Sequence, residues 1–113
     1  MTEVVELRAA DFVGARLQKA GTWAVDFFTP WCAPCKALQQ VFAELSDTSD
    51  SSVHFAALDI STCPGPAEVF DVASVPTIVI FVDGVEQRRL FGAKSARQLT
   101  SAIDRVAGGS PPE

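Results

Sequence analysis

The sequence predicts an α/β protein with one central mixed β-sheet of about five strands, flanked by about four helices. Two observations support this prediction. Apolar segments typical of strands alternate with segments of helical spacing along most of the chain, which favours parallel βαβ units. Near the end, two strand-like segments are joined by Asp83-Gly84, a strong hairpin signal. Parallel units followed by a hairpin imply a mixed sheet with helices on both faces.

The first half of the chain contains three predicted strands and two predicted helices. Residues 4–7, 23–28 and 53–60 are rich in β-branched and aromatic side chains, and the second of these segments lacks alternation, as in a strand covered on both faces. Residues 9–20 and 32–45 carry apolar side chains at helical intervals. Gly21 ends the first helix, and the polar residues 46–52 form a loop.

The second half is predicted to contain a short helix, the hairpin and a final helix. Pro64 and Pro66 suit the first turn of a helix that includes residues 67–70. The hairpin strands cover 77–82 and 85–91, and Gly84 supports the turn between them. The last helix covers 95–107, with Ser95 as its N-cap.

Length and composition limit the organisation and the function. A chain of 113 residues suits one domain, predicted at 1–107, followed by a flexible tail at 108–113. The formal net charge of −5 disfavours binding to nucleic acid or to acidic lipid surfaces. The longest apolar run is too short for a membrane span, and the N-terminus does not resemble a signal peptide. We therefore expect a cytoplasmic protein without membrane or nucleic-acid partners.

The cysteine pattern is the most informative feature. Cys32 and Cys35 are three residues apart, so a helix that begins at Cys32 brings both thiols to nearly the same face, within reach of a disulfide. Unpaired N–H groups and the helix dipole favour a thiolate in the first turn. Cys32 is therefore the predicted nucleophile, and Cys35 the resolving thiol. A zinc site would need two more ligands, and only His54 and Cys63 remain.

The segment Trp31-Cys32-Ala33-Pro34-Cys35-Lys36 resembles the active-site motif of the thioredoxin family. Four other segments are similar to that family in order and spacing, and the resemblance extends from about residue 4 to residue 106: Val25-Asp26-Phe27, Val75-Pro76-Thr77, Asp83-Gly84 and Phe91-Gly92-Ala93. The resemblance implies a thioredoxin fold and a dithiol/disulfide oxidoreductase that reduces protein disulfides.

The resemblance also implies a role for other residues. Asp26 lies within an apolar strand, where burial raises a carboxyl pKa; a water-facing carboxylate is the alternative, and the resemblance favours a base for Cys35. A strand-opening proline alone explains Pro76, whereas the resemblance implies a cis bond and strand-like pairing of Val75 with substrate. Trp31, Ala33 and Pro34 are implied substrate contacts, as is Gly92, for which a simple turn glycine is the alternative.

Three residues depart from the family pattern. Ala33 replaces the usual glycine of the motif, and Phe28 stands where many members have tryptophan. Ala57 stands where a lysine often lies near the buried aspartate, which removes a positive charge from the surroundings of Asp26. Cys63 is predicted to be a passive free thiol, with a regulatory or intermolecular disulfide as the alternative.

The resemblance completes the predicted function. The protein is expected to be a monomer without bound cofactor or metal, whose electrons come from a thioredoxin reductase that uses NADPH. Its other partners are disulfide-containing client proteins. Two alternatives remain open at this stage: a disulfide isomerase or oxidase, and a redox-inactive binding module of the same fold.

Overall fold

The computed structural model describes residues 4–48 and 52–107. These residues form seven strands and three α-helices, together with a 3₁₀ turn at Ala9–Asp11. The strands are β1 (Val4–Glu6), β2 (Phe12–Val13), β3 (Arg16–Leu17), β4 (Thr22–Phe28), β5 (Val53–Asp59), β6 (Thr77–Val82) and β7 (Val85–Phe91). The helices are α1 (Ala33–Thr48), α2 (Pro64–Val69) and α3 (Ala96–Ala107).

Five strands form the central sheet, in the order β1-β5-β4-β6-β7. Strand β5 is parallel to β1 and β4, whereas β6 is antiparallel to both β4 and β7. The prediction of a mixed five-stranded sheet is therefore confirmed. Strand β4 lies in the middle, which explains its continuous apolar sequence, because both of its faces are covered.

Each face of the sheet has its own apolar core. On one face the sheet packs against α1 and α3, through Leu38 and Phe42 of α1 and Leu99 and Ile103 of α3. On the other face it packs against Phe70, which follows α2, and against Leu7 and Leu17. Successive β4 residues alternate between the two cores, as the pleat requires.

The predicted helix at 9–20 is wrong. The segment forms the 3₁₀ turn and then a two-stranded hairpin, β2–β3, in which Phe12 pairs with Leu17. Gly14 has a φ of +55° in the turn between these strands, a left-handed conformation that interrupts a helix. Phe12 and Leu17 pack into the core, with the ring of Phe12 5.6 Å from that of Phe70, whereas Val13 is 60% exposed.

The structure also corrects two boundaries and the helix count. Three α-helices are present among the described residues instead of about four, because of the hairpin at 12–17. Helix α1 continues through Ser46 to Thr48, so the predicted loop begins later. Helix α2 begins at Pro64, with prolines in its first turn as expected. The predicted tail at 108–113 lies outside the described residues, and the domain boundary at residue 107 stays a prediction.

The predicted turn and cap of the second half are confirmed. Asp83 and Gly84 have φ values of +50° and +89° and connect β6 to β7. The Gln98 N–H donates to Ser95 Oγ (3.1 Å), and the Ser95 N–H donates to Gln98 Oε1 (2.9 Å). These reciprocal bonds satisfy two N–H groups at the start of α3.

Candidate active site

The loop from β4 to α1 places Cys32 at the start of a helix. Its N–H donates to the Thr29 carbonyl (3.4 Å), and its own carbonyl accepts the Lys36 N–H (3.2 Å), the first hydrogen bond of α1. Helix α1 begins at Ala33, one residue later than expected, so Cys32 occupies the N-cap position. Pro34 lies in the first turn, where its missing N–H leaves no acceptor unpaired.

The two cysteines form a disulfide but differ in exposure. Their Cα atoms are 5.2 Å apart, within the range that a disulfide spans. Cys32 is half-buried, whereas Cys35 is 0% exposed. A disulfide partner from another protein can therefore reach the sulfur of Cys32 before that of Cys35.

A backbone N–H of the first helical turn points at the outer sulfur. The Cys35 N–H donates to Cys32 Sγ over 3.2 Å, the same interaction that a capping side chain accepts at this position. This bond and the positive end of the α1 dipole favour negative charge on Cys32. The geometry therefore suits Cys32 for nucleophilic attack as a thiolate.

A distant segment of the chain lies against this sulfur. The Val75 carbonyl oxygen is 3.9 Å from Cys32 Sγ, and the Val75–Pro76 peptide bond is cis. The Pro76 carbonyl accepts the Gly92 N–H (2.9 Å), which joins the end of β7 to the same site. Gly92 has a φ of +81°, which by itself accounts for glycine, and the space where a Cβ would lie is open.

Asp26 is a buried carboxylate without a hydrogen-bond partner among the described residues. It is 0% exposed and pairs in register with Ala57 on one side and Ile78 on the other. Asp26 is two residues from Ala24, so it faces the side of the sheet that α1 and Cys35 cover. Burial raises the pKa of the Asp26 carboxyl from 3.8 to about 7.

The surroundings of Asp26 explain this pKa. Ala57, its direct neighbour on β5, offers no positive charge that would stabilise the carboxylate. Desolvation is the cause of the raised pKa. The hydroxyl of Thr29 is also buried without a hydrogen-bond partner among the described residues. Our sequence interpretation did not include Thr29, although a polar residue between an apolar strand and Pro30 was a usable signal.

Several exposed side chains surround the disulfide. Trp31 is 73% exposed, and Ala33, Pro34 and Lys36 are exposed in the first turn of α1. Phe91 is 59% exposed at the end of β7, where it pairs with Thr77, the residue after Pro76. The sequence interpretation did not include Phe91 among the candidate site residues, although it directly precedes Gly92.

Two other candidate residues lie away from the disulfide. Cys63 is a half-buried free cysteine before α2 and packs against the core on the face opposite α1. Gly84 lies in the β6–β7 turn, where an added Cβ would overlap the Leu17 carbonyl oxygen. His54 stacks on Trp23 with ring centroids 4.6 Å apart, which gives both residues a structural role.

Clusters of metal-ligating side chains and membrane-spanning helices are both absent from the described residues. No group of three or more His, Cys, Asp or Glu side chains is arranged to hold a metal ion within residues 4–48 and 52–107. In the same ranges, no helix has the length and apolar character needed to cross a bilayer.

Comparisons with known proteins agree with this geometry. The model of the thioredoxin family matches residues 3–105. The thioredoxin of Chlamydia muridarum is 41% identical over 76% of this chain and 83% of its own length. The thioredoxin of Mycobacterium bovis is 37% identical over 73% and 71%. The crystal structure of Malassezia sympodialis thioredoxin has a TM-score of 0.79 at 27% identity, and covers 93% of this chain and 91% of that one.

The family match covers almost the whole chain, and the matched chain contains the dithiol pair at the start of α1. The sequence relatives are well above 30% identity, and they match most of both chains. On this evidence, the chain belongs to the thioredoxin family and is a thiol-disulfide oxidoreductase that reduces protein disulfides.

Proposed function

We propose that the protein reduces client disulfides in a cycle in which Cys32 attacks, Cys35 resolves and Asp26 accepts a proton. The observation that carries these assignments is the difference between the two sulfurs. Cys32 is accessible and accepts the Cys35 N–H, whereas Cys35 is fully buried. Accessibility and stabilised negative charge are the properties of an attacking thiol.

In the first step, the Cys32 thiolate attacks one sulfur of the client disulfide. The client S–S bond breaks, a mixed disulfide forms between Cys32 and the client, and the released client thiolate takes a proton from water. The Cys35 N–H and the α1 dipole stabilise the thiolate before this attack.

In the second step, Cys35 releases the client. The Asp26 carboxylate takes the proton of the Cys35 thiol, and the resulting thiolate attacks Cys32 Sγ. The mixed disulfide breaks, the Cys32–Cys35 disulfide forms, and the client's second sulfur leaves as a thiolate, which takes the proton held by Asp26. The client thus gains two electrons from the protein, one proton from water and one proton from Cys35 by way of Asp26. An Asp26 pKa of about 7 suits this transfer because the carboxyl is then close to half-ionised at neutral pH.

The client is proposed to bind along the exposed surface around Cys32. Trp31, Ala33 and Pro34 form one side of this surface, while the half-buried Val75 and Gly92 form the other, beside Pro76, which is buried. We add Phe91 to the second side because of its exposure and its position beside Gly92. In the part of the chain described, no backbone carbonyl accepts the Val75 N–H, so this group is available to pair with an extended client segment.

The oxidised protein is proposed to be regenerated by a thioredoxin reductase that uses NADPH. Support comes from a Mycobacterium leprae protein named bifunctional thioredoxin reductase/thioredoxin, which is 34% identical over 90% of this chain and 22% of its own length. We further propose that the protein acts as a monomer without bound cofactor, in the cytoplasm, where reducing conditions suit a disulfide reductant.

Trapping of mixed disulfides tests the roles of the two cysteines. Cys35→Ser is expected to accumulate a covalent complex with a disulfide-containing client, because the second step has no nucleophile. Cys32→Ser is the matched control and is expected to accumulate none. Both variants should carry Cys63→Ser, so that the third thiol does not contribute. Trapping by Cys32→Ser but not by Cys35→Ser would reverse the assignment.

A further inference from the structure

The cationic side chains of this acidic protein are concentrated at one end of the sequence. The chain has a net charge of −5, yet residues 87–107 contain five of its nine Lys and Arg side chains and only one carboxylate, that of Asp104. This segment comprises most of β7, the following loop and α3. Charge is therefore distributed unevenly over the fold.

Not all five cations need a role beyond stability. Arg89 forms an ion pair with Glu86 over 2.8 Å, and Arg105 lies in the last turn of α3, where a cation complements the helix dipole. Arg88, Lys94 and Arg97 differ, because none of the three forms an ion pair within residues 4–48 and 52–107. We call these three residues the basic surface.

The position of two of these residues is unfavourable for the helix. Arg97 lies in the first turn of α3, and Lys94 precedes the Ser95 cap. The first turn contains no acidic residue that would offset them. Cations at a helix N-terminus are opposed by the helix dipole, typically by a few tenths of a kcal/mol. Helix stability therefore does not explain the presence of Lys94 and Arg97.

All three residues of the basic surface lie within five positions of Gly92, the residue through which the end of β7 is bonded to the site. Arg88 pairs in register with Ile80, a residue of the core beneath α3, so Arg88 lies on the sheet face that α3 covers. Lys94 is two residues beyond Gly92, whose N–H is bonded to Pro76 in the site. Arg88 and Arg97 are exposed, and Lys94 is partly exposed.

We propose that the basic surface binds acidic residues beside the client disulfide, and that it thereby selects acidic clients. This inference rests on the proposed function, since it assigns a client class to the same site. The reaction is unchanged; complementary charge accelerates the encounter that precedes attack by Cys32.

The basic surface and the net charge of the whole molecule favour clients of opposite charge, and ionic strength distinguishes the two effects. A net charge of −5 favours basic clients, whereas the basic surface favours acidic ones. The Debye length is about 30 Å at 0.01 M ionic strength, about 10 Å at 0.1 M and about 3 Å at 1 M. The molecule measures 33 × 29 × 26 Å, so at 0.1 M charges on the side of the molecule opposite the dithiol are largely screened from a client at the site. Selection for acidic clients is therefore strongest near 0.1 M.

The test uses three synthetic peptides, each with one intramolecular disulfide flanked by Asp, Gln or Lys residues. Pre-reduced protein is mixed with each peptide without reductase, and acid-quenched samples give the second-order rate constant of reduction. At 0.1 M we expect the Asp peptide to react about tenfold faster than the Lys peptide, at the lower end of known electrostatic steering effects. At 1 M the ratio should approach one.

Charge-reversal variants identify the source of the preference. The triple variant Arg88→Glu/Lys94→Glu/Arg97→Glu is expected to reverse the preference, with an unchanged rate for the Gln peptide. Arg97→Glu should reduce the ratio severalfold, whereas the matched control Arg16→Glu, an exposed site on β3 in the separate hairpin, should not. Each ratio compares the rate constants of two peptides with the same variant, so it does not depend on the fraction of that variant that is active.

Two results would overturn the inference: faster reaction of the Lys peptide at 0.1 M, or an Asp preference that survives the triple variant. If no peptide is reduced, the proposed function itself is wrong and the inference falls with it. Reduction of the Gln peptide together with either overturning result would leave the proposed function intact.

Discussion

Replacement of Asp26 by asparagine is expected to remove a pH dependence from the stability of the protein. The carboxyl has a pKa of about 7 in the folded state and of 3.8 in its unperturbed state. The folded state therefore binds this proton more tightly than the unfolded chain does. The free energy of unfolding falls as the pH rises from about 4 to about 7, and this contribution is constant above that range.

The size of the effect follows from the pKa difference. About three pKa units at about 1.4 kcal/mol each amount to roughly 4 kcal/mol, which is a large share of the 5–15 kcal/mol typical of small domains. Asp26→Asn keeps the shape of the side chain and cannot ionise. At pH 4 the variant and the wild type should be similarly stable, whereas at pH 8 the variant should be more stable by about 4 kcal/mol.

Urea unfolding of the oxidised protein between pH 4 and pH 8.5 measures this difference. Tryptophan fluorescence reports the transition, and the free energy is extrapolated at each pH. Asp104→Asn is the matched control, because Asp104 is exposed on α3, and its stability should follow that of the wild type. A difference between Asp26→Asn and the wild type that does not change with pH would refute the reasoning.

Three further substitutions test other parts of the structure. Gly84→Ala should destabilise the protein by about 1–3 kcal/mol, because φ is +89° and the new Cβ meets backbone of β3; Gly65→Ala, with open space around it, should change the urea midpoint little. Ser95→Ala should cost about 1 kcal/mol through loss of the α3 cap, measured in the same way; an unchanged midpoint would contradict this role. Ala57→Lys should lower the pKa of Asp26 below about 7, since it puts a cation beside the carboxyl; a carboxyl-carbon NMR titration with an unchanged midpoint would count against this explanation.

Where local interactions decide the structure, the sequence was a sufficient guide. The prediction that Cys32 and Cys35 can form a disulfide at the start of a helix is confirmed. It was possible from the sequence because the residues of a single helical turn define that geometry. Asp83-Gly84 forms the expected turn, since both residues tolerate a positive φ. Ser95 caps α3 through a residue only three positions away.

The segment 9–20 shows how periodicity misleads when the apolar face is not the one that packs. Phe12, Val13, Ala15, Leu17 and Ala20 fit a helix, but only Phe12 and Leu17 are turned toward the core, where Phe12 meets Phe70 and Phe81. Contacts with residues more than fifty positions away therefore outweighed the local helical pattern.

The sequence by itself determined the dithiol and its place at a helix start, because these depend on neighbours within a few residues. It predicted the mixed sheet through the general rule that βαβ units pair in parallel and hairpins pair antiparallel. Only the tertiary structure decided that Cys35 is fully buried while Cys32 is accessible, and that Val75 lies 3.9 Å from Cys32 Sγ. It also decided that Asp26 has Ala57 and Ile78 as its neighbours across the sheet and no charge to offset its own. The physical reason is that burial and electrostatic environment are set by segments far apart in sequence, which meet only when the sheet and helices pack.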